Sequence, residues 1–388
     1  MFFLLSLLTI FRAPTSLIWY LSILVTEFCW IFFCIVLLLV FWRFGNEKYN
    51  LAVSVLGIVS LALFSLPVIG AYRISGELNK NFDSAFPGSN RQATAGSTTS
   101  NEATKNSRYL SSPFRAGASP FNLLQMFTGI NAQPTAYKTH TFDEAKKLTL
   151  DFYRSAKAGK QPCVVVVHGG SWAGGDSRQL PGLNSYLAKK GYQVVSINYR
   201  LAPEHKFPSP VEDVGAALNY LRTNAENLSI DTGNFVLLGR SAGGQIVLSA
   251  AYILRDPSIK GVISFYGPAD MVWGYANPTN PLVLNSRKVM EDYLGGTIKE
   301  VPQQYTSSSA TETVTAQSPP ALLIHGKNDP LVSHLHAERL SSKLQAAGTK
   351  HFKLYLPWAT HGFDYTLNGP GGQLSTFAVE RFLQVVAR

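Results

Sequence analysis

Apolar residues follow two different patterns along this chain. Over the first seventy or so positions they form long, nearly unbroken runs at 16–42 and 51–72, separated by a short connection carrying Arg43, Glu47 and Lys48. A helix needs about 20 residues to cross a hydrocarbon core of roughly 30 Å, and both runs meet that length. The pattern therefore predicts two transmembrane helices that make residues 1–76 a membrane anchor. The opening stretch 1–11 is too short to span and is set off by Arg12 and Pro14, so it is expected to lie in the interface or to merge with the first helix. A cleaved signal peptide is the competing reading, but no basic region precedes the apolar stretch and no small-residue cleavage site follows it. Glu27 is the one carboxylate inside a run, and such a group needs a partner or a proton.

Residues 77–135 turn rich in Ser, Thr, Asn, Gly and Ala and read as a linker, disordered in part. A short amphipathic segment at 120–130, with Phe121, Leu123, Leu124, Met126 and Phe127, is expected to dock on the folded domain. From 136 to 388, short β-branched runs alternate with helical periodicity, the pattern of a mostly parallel central sheet with helices on both faces, an α/β fold. Strands are predicted at 163–167, 194–199, 235–238, 261–265, 321–324 and 352–356. The clearest helix is 210–227, where Ser209 as N-cap, Pro210 and Glu212 make a capping box. Between two strands, 271–319 is too long for a plain connection and is expected to form a cap-like insertion over a pocket.

The chemistry is concentrated on a few of these junctions. Gly239-Arg240-Ser241-Ala242-Gly243 follows one strand and opens a segment with Ile246, Val247, Ala250, Ala251 and Leu254 at helical spacing. A strand, a tight glycine turn and a helix together present a serine oxygen at the strand end, which marks Ser241 as the candidate nucleophile. His168-Gly169-Gly170-Ser171 directly follows the strand at 163–167. The backbone amides of Gly169, Gly170 and Ala242 are thus candidate donors to an oxyanion. A residue such as Trp172, with Trp273 and Tyr275 from the cap, and near them Tyr293 and Tyr305, would supply an aromatic wall for substrate.

With Trp172 and the run Asn198-Tyr199-Arg200-Leu201-Ala202-Pro203-Glu204-His205, these motifs resemble the hormone-sensitive-lipase-like esterases of the α/β-hydrolase superfamily, from about residue 148 onward. Two departures are visible: Ser171 stands where many members carry a third glycine, and Arg240 where Asp is commoner. The resemblance implies a serine carboxylesterase or lipase with a Ser, acid, His order along the chain. Asp329, in the turn after the strand at 321–324, is the acid by position and by likeness; Asp364, Asp270 and Glu338 are the alternatives. His361, on the loop after 352–356, is the base. Of the other histidines, His168 is expected to brace the oxyanion loop, His205 to belong to a turn, His325 to be structural, and His334, His336 and His351 to lie on the surface.

Composition adds limits. The net charge of +10 is spread along the chain with no basic arm, which argues against nucleic acid as a partner. Cys29, Cys34 and Cys163 make no disulfide framework. No metal or cofactor is called for, since the histidines and cysteines lack ligand spacing. The expected partners are a small-molecule or lipid ester and, through the N-terminal helices, membrane lipids. Acyl transfer or peptide hydrolysis would use the same triad, and a non-catalytic ligand-binding module is the rival from another class. With two spans, the N-terminus and the catalytic domain share a side. Arg12, Arg73, Lys80 and Arg91 against Arg43 and Lys48 lean that side toward the cytoplasm.

Overall fold

The computed structural model describes residues 1–44, 51–87, 119–130 and 134–387. Most of the connection between the two apolar runs, with Glu47 and Lys48, and the low-complexity stretch with Arg91 lie outside the described residues.

The first apolar run is not one helix. It divides into α1 (Ser16–Glu27) and α2 (Cys29–Phe44), which meet at 79°. The bend has a cause. Glu27 is buried at the break, and its carboxylate accepts the N–H groups of Gly371 at 2.9 Å and Gly372 at 3.3 Å. Those amides open the last helix of the chain, where the first N–H groups have no acceptor within the helix. The chain turns aside where its one apolar-run carboxylate finds them.

The second run forms α3 (Leu51–Ala85), longer than the 51–72 expected. Among the described residues it is the helix long and apolar enough to cross a membrane, while α1 and α2 pass that test only as a bent pair. Phe32 stacks on Phe64, and Gly57 lies against Val40, so α2 and α3 run antiparallel. The first part of α3 leaves Leu51, Val55 and Ile58 open, whereas Ala71, Leu78 and Phe82 are buried against the sheet domain. Residues 77–85, expected as the start of a linker, therefore continue a helix, because their apolar positions recur at helical spacing and have a surface to cover. Arg381 reaches Asp83 at 2.5 Å across this contact. The segment at 119–130 also packs there, with Phe121 and Met126 buried.

The remainder is one eight-stranded sheet in the order β1-β2-β4-β3-β5-β6-β7-β8. The strands are β1 (Tyr137–Asp143), β2 (Leu148–Tyr153), β3 (Gln161–Val167), β4 (Gln193–Ile197), β5 (Ile230–Arg240), β6 (Ile259–Phe265), β7 (Ala321–Gly326) and β8 (His351–Leu356). β1 and β2 pair antiparallel at one edge, and β3 to β8 are parallel. Val165 and Val167 point to one face and Val164 and Val166 to the other, so these strands read as unbroken apolar runs. On one face pack α4 (Pro181–Lys190), the end of α3 and the final helix; on the other pack α5 (Ser209–Thr223), α6 (Ala242–Ile253), the cap helix α7 (Ser286–Leu294) and α8 (Leu335–Ala346). The final helix, α9, is Pro370–Val386.

The capping box expected at Ser209 does not form. The helix starts without a side-chain cap, and Glu212 turns to Arg200 at 2.9 Å, alongside the buried Asp213, which accepts the Arg200 backbone N–H. A distant cation outcompetes the local amide. The helix also ends earlier than 227, at Thr223, with a separate turn at Ala225–Leu228.

Replacing Glu27 with Ala leaves two buried amides without an acceptor, at a cost of about 1–3 kcal/mol. The Glu27→Ala chain in detergent should melt below the wild type, and Glu27→Gln, which keeps an acceptor oxygen, should recover most of the difference. Equal melting of all three would remove this interaction as the cause of the bend.

Candidate active site

β5 delivers Arg240 and then Ser241, and α6 begins at Ala242. Ser241 is held at φ 52°, ψ −120°, a conformation that costs free energy and persists only where the surroundings enforce it. Here its N–H donates to the Phe265 carbonyl at 2.9 Å. Gly243 lies so close to β3 that a Cβ there would sit 2.2 Å from the Val167 oxygen, which is why the turn needs glycine.

The side chains expected to act together are together. Ser241 Oγ is 2.9 Å from His361 Nε2, and His361 Nδ1 is 2.7 Å from Asp329 Oδ2. Asp329 Oδ1 accepts the N–H groups of Leu331 at 2.8 Å and Val332 at 2.9 Å, so the turn after β7 fixes its orientation. Burial alone would raise the Asp329 pKa, but the charges and hydrogen bonds of His361 and His325 outweigh it and hold the carboxyl well below the usual range. The acid is thus a carboxylate aimed at Nδ1. The alternative acids are engaged elsewhere: Asp270 with Arg339 and the Trp273 N–H, Glu338 with Lys353, Asp364 with Arg240.

Several expectations need correction. The Gly169 N–H already donates to Gln179 Oε1 at 2.7 Å, so Gly169 is not a free oxyanion donor. A Cβ at Gly169 would fit tightly, 3.1 Å from the Arg240 carbonyl oxygen and 3.2 Å from Ser241 Cβ. Ser171 and Ala242 line the same cavity as Ser241, and Gly170 adjoins Ser171 in the loop after β3. Trp172 and Trp273 line a cavity of about 550 Å³ in front of Ser241. Tyr275 does not: its hydroxyl bonds Glu291 and its ring packs on Tyr305 within the cap. Tyr293 stacks on the inner side of Trp172, at 4.5 Å between ring centres. His336, expected on the surface, is buried between the cap and α8, and its Nδ1 accepts the Asp270 N–H. His168 does brace its loop, with Nδ1 on the Gly169 carbonyl and its ring on Tyr199. His325 hydrogen-bonds the Val332 carbonyl and lies 3.4 Å from Asp329.

Two features escape the motif reading. Behind the elbow, Arg240 is 2% exposed and its Nε donates to Asp364 Oδ2 at 2.5 Å, while the Tyr266 hydroxyl donates to the other oxygen of Asp364. The Tyr266 ring in turn packs on His361, 4.3 Å between centres. The departure of Arg240 from the usual motif was the available signal. The second feature is that Arg12, Ala13 and Pro14, from the N-terminal segment, line the same cavity as Ser241.

A family model described as BD-FAE matches residues 150–344, half of the chain. The chain belongs to the BD-FAE family. It is similar to the esterase LipC of Mycobacterium tuberculosis, 30% identical over 58% of this chain and 59% of that one. The probable carboxylic ester hydrolase LipM of the same organism is 29% identical over 59% of this chain and 55% of its own length. The chain therefore spans a little over half the length of these relatives. Among solved structures, a Pyrobaculum calidifontis esterase superposes with a TM-score of 0.56 at 24% identity, covering 68% of this chain and 88% of that one. A bacterial heroin esterase gives 0.57 at 20% identity over the same shares. This BD-FAE chain has the α/β-hydrolase fold.

Arg240 Nη1 and Nη2 have no hydrogen-bond partner among the described residues and the guanidinium lies over the Phe265 ring, so Asp364 is its main counter-charge. Removing one member of a buried ion pair typically costs about 3–5 kcal/mol. Asp364→Ala should destabilise the chain by that order in denaturant melts, and a loss below about 1 kcal/mol would show the pair to be dispensable. Burial, with the neighbouring His325, pushes the His336 pKa down to about 3. An unfolded imidazole titrates near ~6.5, so the unfolded chain takes up a proton that the folded chain refuses, and stability falls as pH drops from about 6.5 towards 3. In His336→Asn the melting temperature should decline less steeply over that window. An unchanged slope would assign the acid sensitivity elsewhere.

Proposed function

We propose that this chain is a membrane-anchored serine hydrolase that cleaves carboxylic esters through Ser241, His361 and Asp329. The observation that carries the reading is the continuous hydrogen-bond path from Ser241 Oγ through His361 to the Asp329 carboxylate. His361 Nε2 takes the Ser241 proton as Oγ bonds to the ester carbonyl carbon. Asp329 keeps Nδ1 protonated and stabilises the imidazolium that forms. The amides of Gly170, Ser171 and Ala242 receive the oxyanion, a contribution of several kcal/mol in comparable sites. Collapse breaks the ester C–O bond, and the proton on Nε2 passes to the departing alcohol. Water, deprotonated by the same nitrogen, then attacks the acyl-enzyme, releases the acid and restores Ser241.

The names of similar proteins, esterase and carboxylic ester hydrolase, point the same way. Trp172 and Trp273 give the cavity an aromatic wall suited to an acyl or alkyl group. Anchoring rests on the length and apolar character of α3 and on its open first part, with residues 136–388 as the catalytic unit.

The purified chain in detergent should hydrolyse a short p-nitrophenyl ester and react with an active-site phosphonate. Ser241→Ala should lose phosphonate labelling, and Ser241→Ala, His361→Gln and Asp329→Asn should each lose at least about 10³-fold in kcat/KM. Absence of labelling in the wild type, or equal labelling in Ser241→Ala, would sink the proposal.

A further inference from the structure

The N-terminal segment is built into the site. Arg12, Ala13 and Pro14 form part of the cavity wall. On either side of them the backbone and side chains are tied to the loops that carry the proposed triad. Trp19 Nε1–H donates to the His361 carbonyl at 2.9 Å, and Asn328, next to Asp329, donates from Nδ2 to the Thr9 carbonyl at 3.2 Å. The cap is joined as well, through the Ser16 N–H to the Leu282 carbonyl at 3.1 Å and Asn280 Nδ2 to the Pro14 carbonyl at 3.2 Å.

The other side of this wall is apolar and uncovered. Leu17, Tyr20 and Leu24 recur three and four residues apart on α1 and are exposed, Leu17 at 78%. Leu282, joined to the start of α1, is 69% exposed, and Ile10 and Phe11 are open too. Along the chain, exposed apolar residues carry on directly into the α2–α3 hairpin, among them Ile31, Ile35 and Leu38. Soluble surfaces rarely carry a contiguous apolar area of this kind without a partner. The covering partner follows from continuity: whatever solvates the outer residues of the hairpin also meets α1. Because α1 turns 79° from α2, a hairpin that enters a bilayer leaves α1 nearly flat along its surface. A helix in that position sinks its apolar side roughly 5–10 Å into the boundary between headgroups and acyl chains.

We infer that α1 lies in the membrane interface with Leu17, Tyr20, Leu24 and Leu282 in lipid, so that the cavity behind Arg12 and Pro14 opens at headgroup depth and receives bilayer-resident esters. The substrate is then an amphiphile whose acyl or alkyl chain stays among the lipids while its ester carbonyl reaches Ser241. This inference rests on the ester-hydrolase reading.

The test compares the full chain reconstituted in phosphatidylcholine vesicles on two substrates, water-soluble p-nitrophenyl acetate and p-nitrophenyl palmitate dissolved in the same vesicles. The variants are Leu17→Glu with Leu24→Glu and, separately, Leu282→Glu, all at exposed positions outside the cavity wall. The expected result is a loss of about tenfold or more on the palmitate ester, with acetate hydrolysis within about twofold of wild type. Unchanged rates on both substrates, or equal losses on both, would overturn the inference while leaving the ester-hydrolase reading in place. Wild-type activity on acetate with none on vesicle palmitate would also overturn it. A wild type inert to both esters would defeat the underlying reading, and this inference with it.

Discussion

A carboxyl group taken out of water must find hydrogen-bond partners, and that constraint organises this molecule more than any single apolar contact. Glu27, Asp329 and Asp364 are all buried, and each determines where another part of the chain must go. Glu27 seeks the first amides of α9 and thereby folds α1 onto the sheet domain. Asp329 collects two backbone N–H groups and His361, which sets the imidazole in line with Ser241. Asp364 holds Arg240 from beneath the elbow and, through Tyr266, supports the far side of the His361 ring. Asp213 repeats the theme at the start of α5, where it and Glu212 both turn to Arg200. Against apolar residues of the same shape such pairings add little net stability, but each is costly to break once built and specifies one arrangement among several that packing alone would accept.

How far these arrangements can be read from sequence depends on how local their causes are. The parallel strands announce themselves because both faces are buried, so every residue from Val164 to Val167 is apolar. Ser241, Asp329 and His361 are legible for a related reason: each lies within five residues after a strand whose apolar run can be recognised, and the parallel pairing of β5 to β8 brings the following loops out at one end of the strands. β1 is not legible in this way. Its sequence, Tyr-Lys-Thr-His-Thr-Phe-Asp, belongs to an antiparallel edge with little to bury.

Where a cause is distant in sequence, local pattern misleads. A hydropathy window over 16–42 sees a single span, because the acceptor–donor pairing that breaks it joins residues 344 positions apart. The Ser209 to Glu212 spacing reads as a capping box until Arg200 arrives from a neighbouring loop. His336 has a helical neighbourhood that is polar enough to look exposed, and only the cap folding back over α8 buries it. Gly169 satisfies the motif for an oxyanion donor, but Gln179 reaches its amide first. In each of these positions the residue type is informative and the partner is not.

The same logic changes the standing of the N-terminal segment. Apart from Ser241, His361 is held at three points: Asp329 on Nδ1, the tilted Tyr266 ring beside its own, and Trp19 on its carbonyl. Two of these come from the sheet domain and one from α1. Displacements of about 1 Å in a reacting constellation cost orders of magnitude in rate, so on the proposed reading a helix that fixes the His361 loop belongs to the site even though it touches no reacting atom. Packing argues in the same direction, since Ala71, Leu78 and Phe82 of α3 complete one face of the sheet domain. A chain cut at the start of the sheet would bare that apolar face, open the cavity at Arg12 to Pro14 and leave Gly371 and Gly372 without their acceptor. The apolar helices and the sheet domain are for that reason packed as one body, with the proposed nucleophile seated at the seam between them.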